Sequence, residues 1–113
     1  MIRSFIEDAD REMLFCMSLD IKNQPTNIQV CHIGSLNASI VHPREVMKMA
    51  VLSNSASIIV FHNHPSGMTK PSPEDFEVTQ RLKEAGQILG IELLDHLIIG
   101  DNTFLSFKEK GYL

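Results

Sequence analysis

Ala56-Ser57-Ile58-Ile59-Val60-Phe61-His62-Asn63-His64-Pro65-Ser66-Gly67-Met68-Thr69-Lys70-Pro71-Ser72-Pro73-Glu74-Asp75 is the stretch on which the reading of this chain turns. Residues 56–61 are a short β-branched apolar run, the composition of a buried strand. That strand delivers His62 and His64 at its carboxyl end. Because side-chain direction repeats every second residue, both imidazoles project to the same side and can share one ion. Pro65, Gly67, Pro71 and Pro73 then break regular structure and predict a loop of about ten residues. Ser72 is placed to N-cap a helix with Pro73 at its first position. Asp75 falls in the first turn, where the helix dipole favours a carboxylate. Two imidazoles and a carboxylate on separate rigid elements are a ligand set for Zn2+, three in number, with a fourth position left open as hydrolytic zinc sites require.

Working outward, the order of elements is strand at 12–20, strand at 26–34, helix at 43–53, strand at 56–62, helix at 72–89, strand at 92–99 and strand at 103–107. The first helix starts at Pro43 and carries Val46, Met47, Ala50 and Val51 as its apolar stripe. The second carries Phe76, Thr79, Leu82, Gly86 and Leu89 and ends at Gly90 as a C-cap. A tight turn at Gly100-Asp101-Asn102 joins the last two strands. This pattern predicts an α/β chain of the α+β type, a mostly antiparallel mixed sheet packed against helices.

Metal-assisted hydrolysis also needs a general base to take a proton from water and pass it to the leaving group. Glu12, at the head of the first strand, is an upstream candidate. Spacing alone does not separate it from Glu7, Glu45, Glu74 and Glu77.

The residues resemble a known family. His62-x-His64, seven residues, Ser72, two residues and Asp75 together match the His-x-His-x7-Ser-x2-Asp pattern of the JAMM (JAB/MPN-type) metalloproteases and isopeptidases. The longer match is to the RadC-like branch. It runs through Gly34-Ser35-Leu36-Asn37, Pro43-Arg44-Glu45, the block at 62–67, Leu94-Asp95-His96-Leu97-Ile98-Ile99-Gly100 and Ser106-Phe107. The resemblance covers roughly residues 10–113 and implies a JAMM, cytidine deaminase-like fold. By motif position it implies zinc on His62, His64 and Asp75, an oxyanion-stabilising Ser72, and Glu12 as the acid/base. It divides the chain into an N-terminal extension at 1–11 and a RadC-like JAMM domain at 12–113. Proteins of that branch are usually longer, with a helix-hairpin-helix region ahead of this domain.

The expected function is therefore a zinc-dependent metallopeptidase or isopeptidase acting on amide bonds of a peptide or protein substrate. The alternative is a DNA-repair or mobile-element accessory protein whose metal-bound domain binds or acts on nucleic acid. The chain's net charge of -4 disfavours general attraction to a nucleic-acid backbone. The letters His-Asn-His at 62–64 are not evidence for an HNH nuclease, whose residues are spread over a ββα unit.

At 113 residues, with 43% hydrophobic and 21% charged residues, the composition is that of one ordinary globular domain. No apolar run approaches a membrane span, and acidic residues interrupt the N-terminus, so a cytoplasmic location is expected. Cys16 and Cys31 lie on successive strands and would stand nearly opposite if Asn23-Gln24 centred the turn. They are expected as reduced, buried thiols. Asp95 and His96 are adjacent on a strand and cannot both enter one site. They are read as structural, with support of the metal ligands by one of them as the alternative. Ser66 and Gly67 shape the turn, and His32 and His42 are surface or turn histidines.

Overall fold

Alternation along the central strands sorts the apolar residues onto two sides of one sheet, and this sets the architecture. The computed structural model describes residues 11–34, 36, 39 and 41–113. Its elements are β1 (Met13–Leu19), β2 (Pro25–Ile33), α1 (Pro43–Leu52), β3 (Ser57–Asn63), α2 (Pro73–Leu89), β4 (Glu92–Gly100) and β5 (Thr103–Ser106). The five strands lie in the order β2-β1-β3-β4-β5. Neighbours are antiparallel except β3 and β4, which run parallel because α2 is the crossover between them. The expected α+β architecture is what forms. The extension at 1–11 lies outside the described residues apart from Arg11, as do Ser35 and Asn37 of the family-like stretch.

Leu14 and Cys16 of β1 and Ile58 and Val60 of β3 point to one face. There they meet Val46, Met47 and Ala50 of α1 and Val78 and Leu82 of α2. Both helices therefore cover the same side. On the other side Phe15, Phe61 and Ile99 form a smaller apolar cluster flanked by Met13, Met17, Ile59 and Leu97.

Two stripe assignments shift. Val51 of α1 is 52% exposed, and in α2 Val78 is buried while Phe76 and Leu89 lie largely open. The α2 stripe rotates because Asp75 points inward and takes a buried position. Gly90 does end α2 in the left-handed conformation, φ 75°. The β4–β5 turn closes on the Gly100–Thr103 pair, with Asn102 at φ 54°.

The cysteines do not stand opposite each other. Cys16 faces Gln29, and the register slips between Leu14–His32 and Phe15–Val30, leaving Cys31 in the irregularity. Cys16 is buried and Cys31 half-buried, and both are free. The hydrogen bond between their sulfurs and their burial raise the Cys16 thiol far above its ordinary range.

Candidate functional site

His62 and His64 leave the end of β3 on one face, as the two-residue period requires, with their rings 4.6 Å apart edge to face. Leu14 pairs with His62 in the antiparallel register, so two residues further along Glu12 comes opposite His64. One ligand atom each from Glu12, His62 and His64 lies within 4.8 Å of the others. Asp75 enters from the start of α2. Its Oδ1 is 3.4 Å from His62 Nε2 and its Oδ2 is 3.2 Å from His64 Nε2. Four side chains from three separate elements thus converge, and they include every metal and acid/base residue named from the sequence.

A capping box fixes Asp75. The Ser72 side chain accepts from Asp75 N at 3.1 Å, and Asp75 Oδ2 accepts from Ser72 N at 2.8 Å. Ser72 is therefore the N-cap that the sequence predicts. Because its oxygen acts as acceptor in that bond, its own hydroxyl hydrogen is left for another partner.

The two histidines are held differently. His62 is fully buried, and its Nδ1 lies 3.1 Å from His96 Nε2. Its Nε2 is buried without a hydrogen-bond partner. His64 Nδ1 lies 2.9 Å from the carbonyl oxygen of Met68. A carbonyl only accepts, so Nδ1 donates and Nε2 is the nitrogen turned toward Asp75. The loop holds this arrangement through a turn at Gly67 (φ 85°), whose N–H bonds His64 O at 2.8 Å. A Cβ on Gly67 would collide with the Asp101 side chain.

Burial pushes His62 down to about 4, against the pull of the Asp75 charge. His64 is raised, first by its hydrogen bond to Asp75. Burial acts to raise Asp75, but the His64 hydrogen bond, the nearby His62 and the Ser72 backbone outweigh it and hold the carboxyl at about 2. Asp75 is ionised throughout the neutral range.

Glu12 is anchored on two sides. Its Oε2 accepts from Leu36 N at 2.9 Å, and its carbonyl accepts from Gly34 N at 2.8 Å. Asn63, between the two histidines and facing the opposite way, brackets it. Asn63 Oδ1 accepts from Met13 N at 2.7 Å, and Asn63 Nδ2 donates to Arg11 O at 2.9 Å. Nothing in the spacing marks Asn63, because only strand pairing reveals that it clamps the residues flanking Glu12.

Asp95 and His96 part company as their alternation demands. Asp95 accepts from its own neighbour His96 N at 2.7 Å, from the Ser106 hydroxyl and from Lys108 N at 3.0 Å, tying down the chain end. His96 is fully buried and is the one of the two whose ring meets His62, Nε2 to Nδ1 at 3.1 Å. Among the other histidines, His42 is exposed at the α1 N-cap and His32 is half-buried. A cavity of about 570 Å³ lined by Ala56, Lys83, Gly86 and Leu93 among others opens at the opposite end of the sheet and includes none of the converging residues.

No described helix is long and apolar enough to cross a membrane. The RadC-like JAB domain family matches residues 1–112. A UPF0758 protein of Bacillus licheniformis is 61% identical over 103 residues, 91% of this chain and 46% of that protein. UPF0758 proteins of Halalkalibacterium halodurans and Shouchella clausii are 59% and 58% identical over 91% and 90% of this chain, each covered to 44%. The chain thus spans less than half the length of these curated relatives. With the five-stranded mixed sheet, the two helices on one face and the Glu12, His62 and His64 cluster in place, the chain belongs to the RadC-like JAB domain family, a membership that suggests metal-dependent hydrolysis.

Proposed function

We propose that this domain is a zinc-dependent hydrolase of amide bonds, peptide or isopeptide. The observation that carries the reading is the orphaned Nε2 of His62, buried beside an ionised carboxylate with nothing to donate to it. A lone pair and a carboxylate buried together at that distance call for a cation between them. The donor set fits the group: two imidazole nitrogens and carboxylate oxygen are borderline ligands suited to zinc.

His62, His64 and Asp75 would hold the ion. Asp75 suits a ligand better than a base, since its carboxyl is held at about 2 and scarcely takes up a proton near neutrality. Bound zinc would supply Lewis acidity toward a carbonyl and acidify water. Glu12, half-buried and anchored by one oxygen, has its other oxygen to accept a proton from water and return it to the leaving amine. Ser72, with its hydroxyl hydrogen uncommitted in the capping box, would donate to the developing oxyanion.

Glu12→Gln tests this directly. The variant is expected to retain one zinc per chain while cleavage of a peptide and isopeptide library falls by roughly two orders of magnitude or more. Undiminished cleavage by the variant overturns the role of Glu12. Metal-dependent cleavage of DNA, with none of peptides, overturns the amide-bond reading.

A further inference from the structure

Behind His62 runs a chain of buried hydrogen bonds whose direction is fixed at one end. Thr79 Oγ1 lies 2.8 Å from the main-chain carbonyl oxygen of Asp75, one helical turn earlier. That carbonyl can only accept, so the single hydroxyl hydrogen of Thr79 is spent on it. Thr79 Oγ1 also bonds His96 Nδ1. With its hydrogen committed, Thr79 must accept there, and His96 must carry its proton on Nδ1.

His96 is fully buried, and its neutral ring then has a bare Nε2. This nitrogen, 3.1 Å from His62 Nδ1, can only accept. His62 therefore carries its proton on Nδ1 and presents an unprotonated Nε2 to the site. Packing holds the relay in register, because the His96 ring stacks on buried Phe107 with centroids 4.6 Å apart and planes 22° from parallel.

We infer that Thr79 and His96 are positioning residues that select the ligand tautomer of His62 before any metal arrives. The relay begins at the backbone of Asp75 and ends on the side chain facing Asp75, so two of the proposed ligands are joined through it. Pre-selection means that zinc need not displace a proton from His62 or turn its ring. The inference rests on the proposed metal site, but it concerns a property of the metal-free protein.

The test is a comparison of metal-free wild type, Thr79→Val and Thr79→Ser, each labelled with 15N-histidine. In wild type, the 15N shifts and one-bond proton couplings are expected to show His62 and His96 both protonated at Nδ1 and bare at Nε2. In Thr79→Val, the His96 tautomer loses its anchor, and both rings are expected to show averaged or exchanged nitrogens. Zinc affinity measured against a competing chelator should fall about tenfold or more, as is usual when a ligand's supporting partner is removed. Thr79→Ser should restore both readings.

A proton on Nε2 of His62 in the wild-type spectrum overturns the inference, even if Thr79→Val fails to fold. Unchanged tautomers and affinity in a folded Thr79→Val protein do the same. Loss of amide hydrolysis as the function would leave the spectra untouched, so the two ideas fail separately.

Discussion

His62 and His64 sit two residues apart on one face of one strand, yet the molecule treats them as different parts. His62 belongs to the interior: it is fully buried and backed by a side chain from β4 that a residue of α2 orients in turn. His64 belongs to the loop: it is partly open to solvent and oriented by the carbonyl of Met68, four residues on. The difference teaches that one ligand is set by long-range packing and the other by local turn geometry, although both would serve one ion. Each can be perturbed by itself.

The largest separation should appear in stability. In chelated protein, His62→Ala leaves a cavity and an unpaired His96 nitrogen and is expected to cost about 3 kcal/mol. His64→Ala, which opens less of a cavity but strips the buried Asp75 carboxylate of a hydrogen-bond partner, should cost less, about 1–2 kcal/mol. Urea unfolding of the two variants reads this, and equal losses would erase the distinction between interior and loop. Both substitutions should remove stoichiometric zinc.

Asn63→Ala probes the strand between them from the reverse face. Deleting its bonds to Arg11 O and Met13 N should cost about 2 kcal/mol. The clamp holds Glu12 and touches neither histidine, so hydrolysis should fall more than zinc affinity. A variant that loses zinc in proportion to activity would place Asn63 with the ligands instead.

Protons should compete with zinc unequally at the two rings. His62, with its pKa pushed down to about 4, is already deprotonated at neutral pH. His64 is raised above the ordinary imidazole range, first by its hydrogen bond to Asp75, so it is the ring on which protons compete with zinc at the higher pH. Zinc affinity should therefore drop about tenfold per pH unit as pH falls below the raised His64 pKa, with a second proton entering only near 4. Calorimetric titration in buffers of different ionisation enthalpy counts these protons. Two protons released together near neutrality would show the histidines to be equivalent.

The smallest effect is expected at Ser72. Replacing it by Ala removes the cap and should cost about 1 kcal/mol with little change in zinc affinity. Reduced kcat at unchanged zinc occupancy would support its donation to the oxyanion, and unchanged kcat would leave it a helix cap alone.

Much of this was legible in the chain because it depends on neighbours in sequence. The strand ending in His62 and His64, the Ser72-Pro73 helix start and the Gly90 stop all follow from local preferences, and all form where expected. Glu12 was harder, since several glutamates were available and spacing did not choose among them. Antiparallel pairing of β1 with β3 brings it opposite His64. Periodicity places Phe76 and Leu89 in the apolar stripe of α2, but both lie largely open because the Asp75 carboxylate takes an inward position that periodicity assigns to an apolar residue. Cys31 was misplaced by a register slip that composition does not announce.

The sequence by itself determined the candidate ligand types, their spacing and the elements that present them, because alternation, capping and turn chemistry act over a few residues. Only the tertiary structure decided which nitrogen of His62 faces the site and that Asn63, Thr79 and His96 pack around it. Those outcomes depend on hydrogen bonds between residues 17 to 52 positions apart, and such bonds exist only once the sheet and α2 have packed.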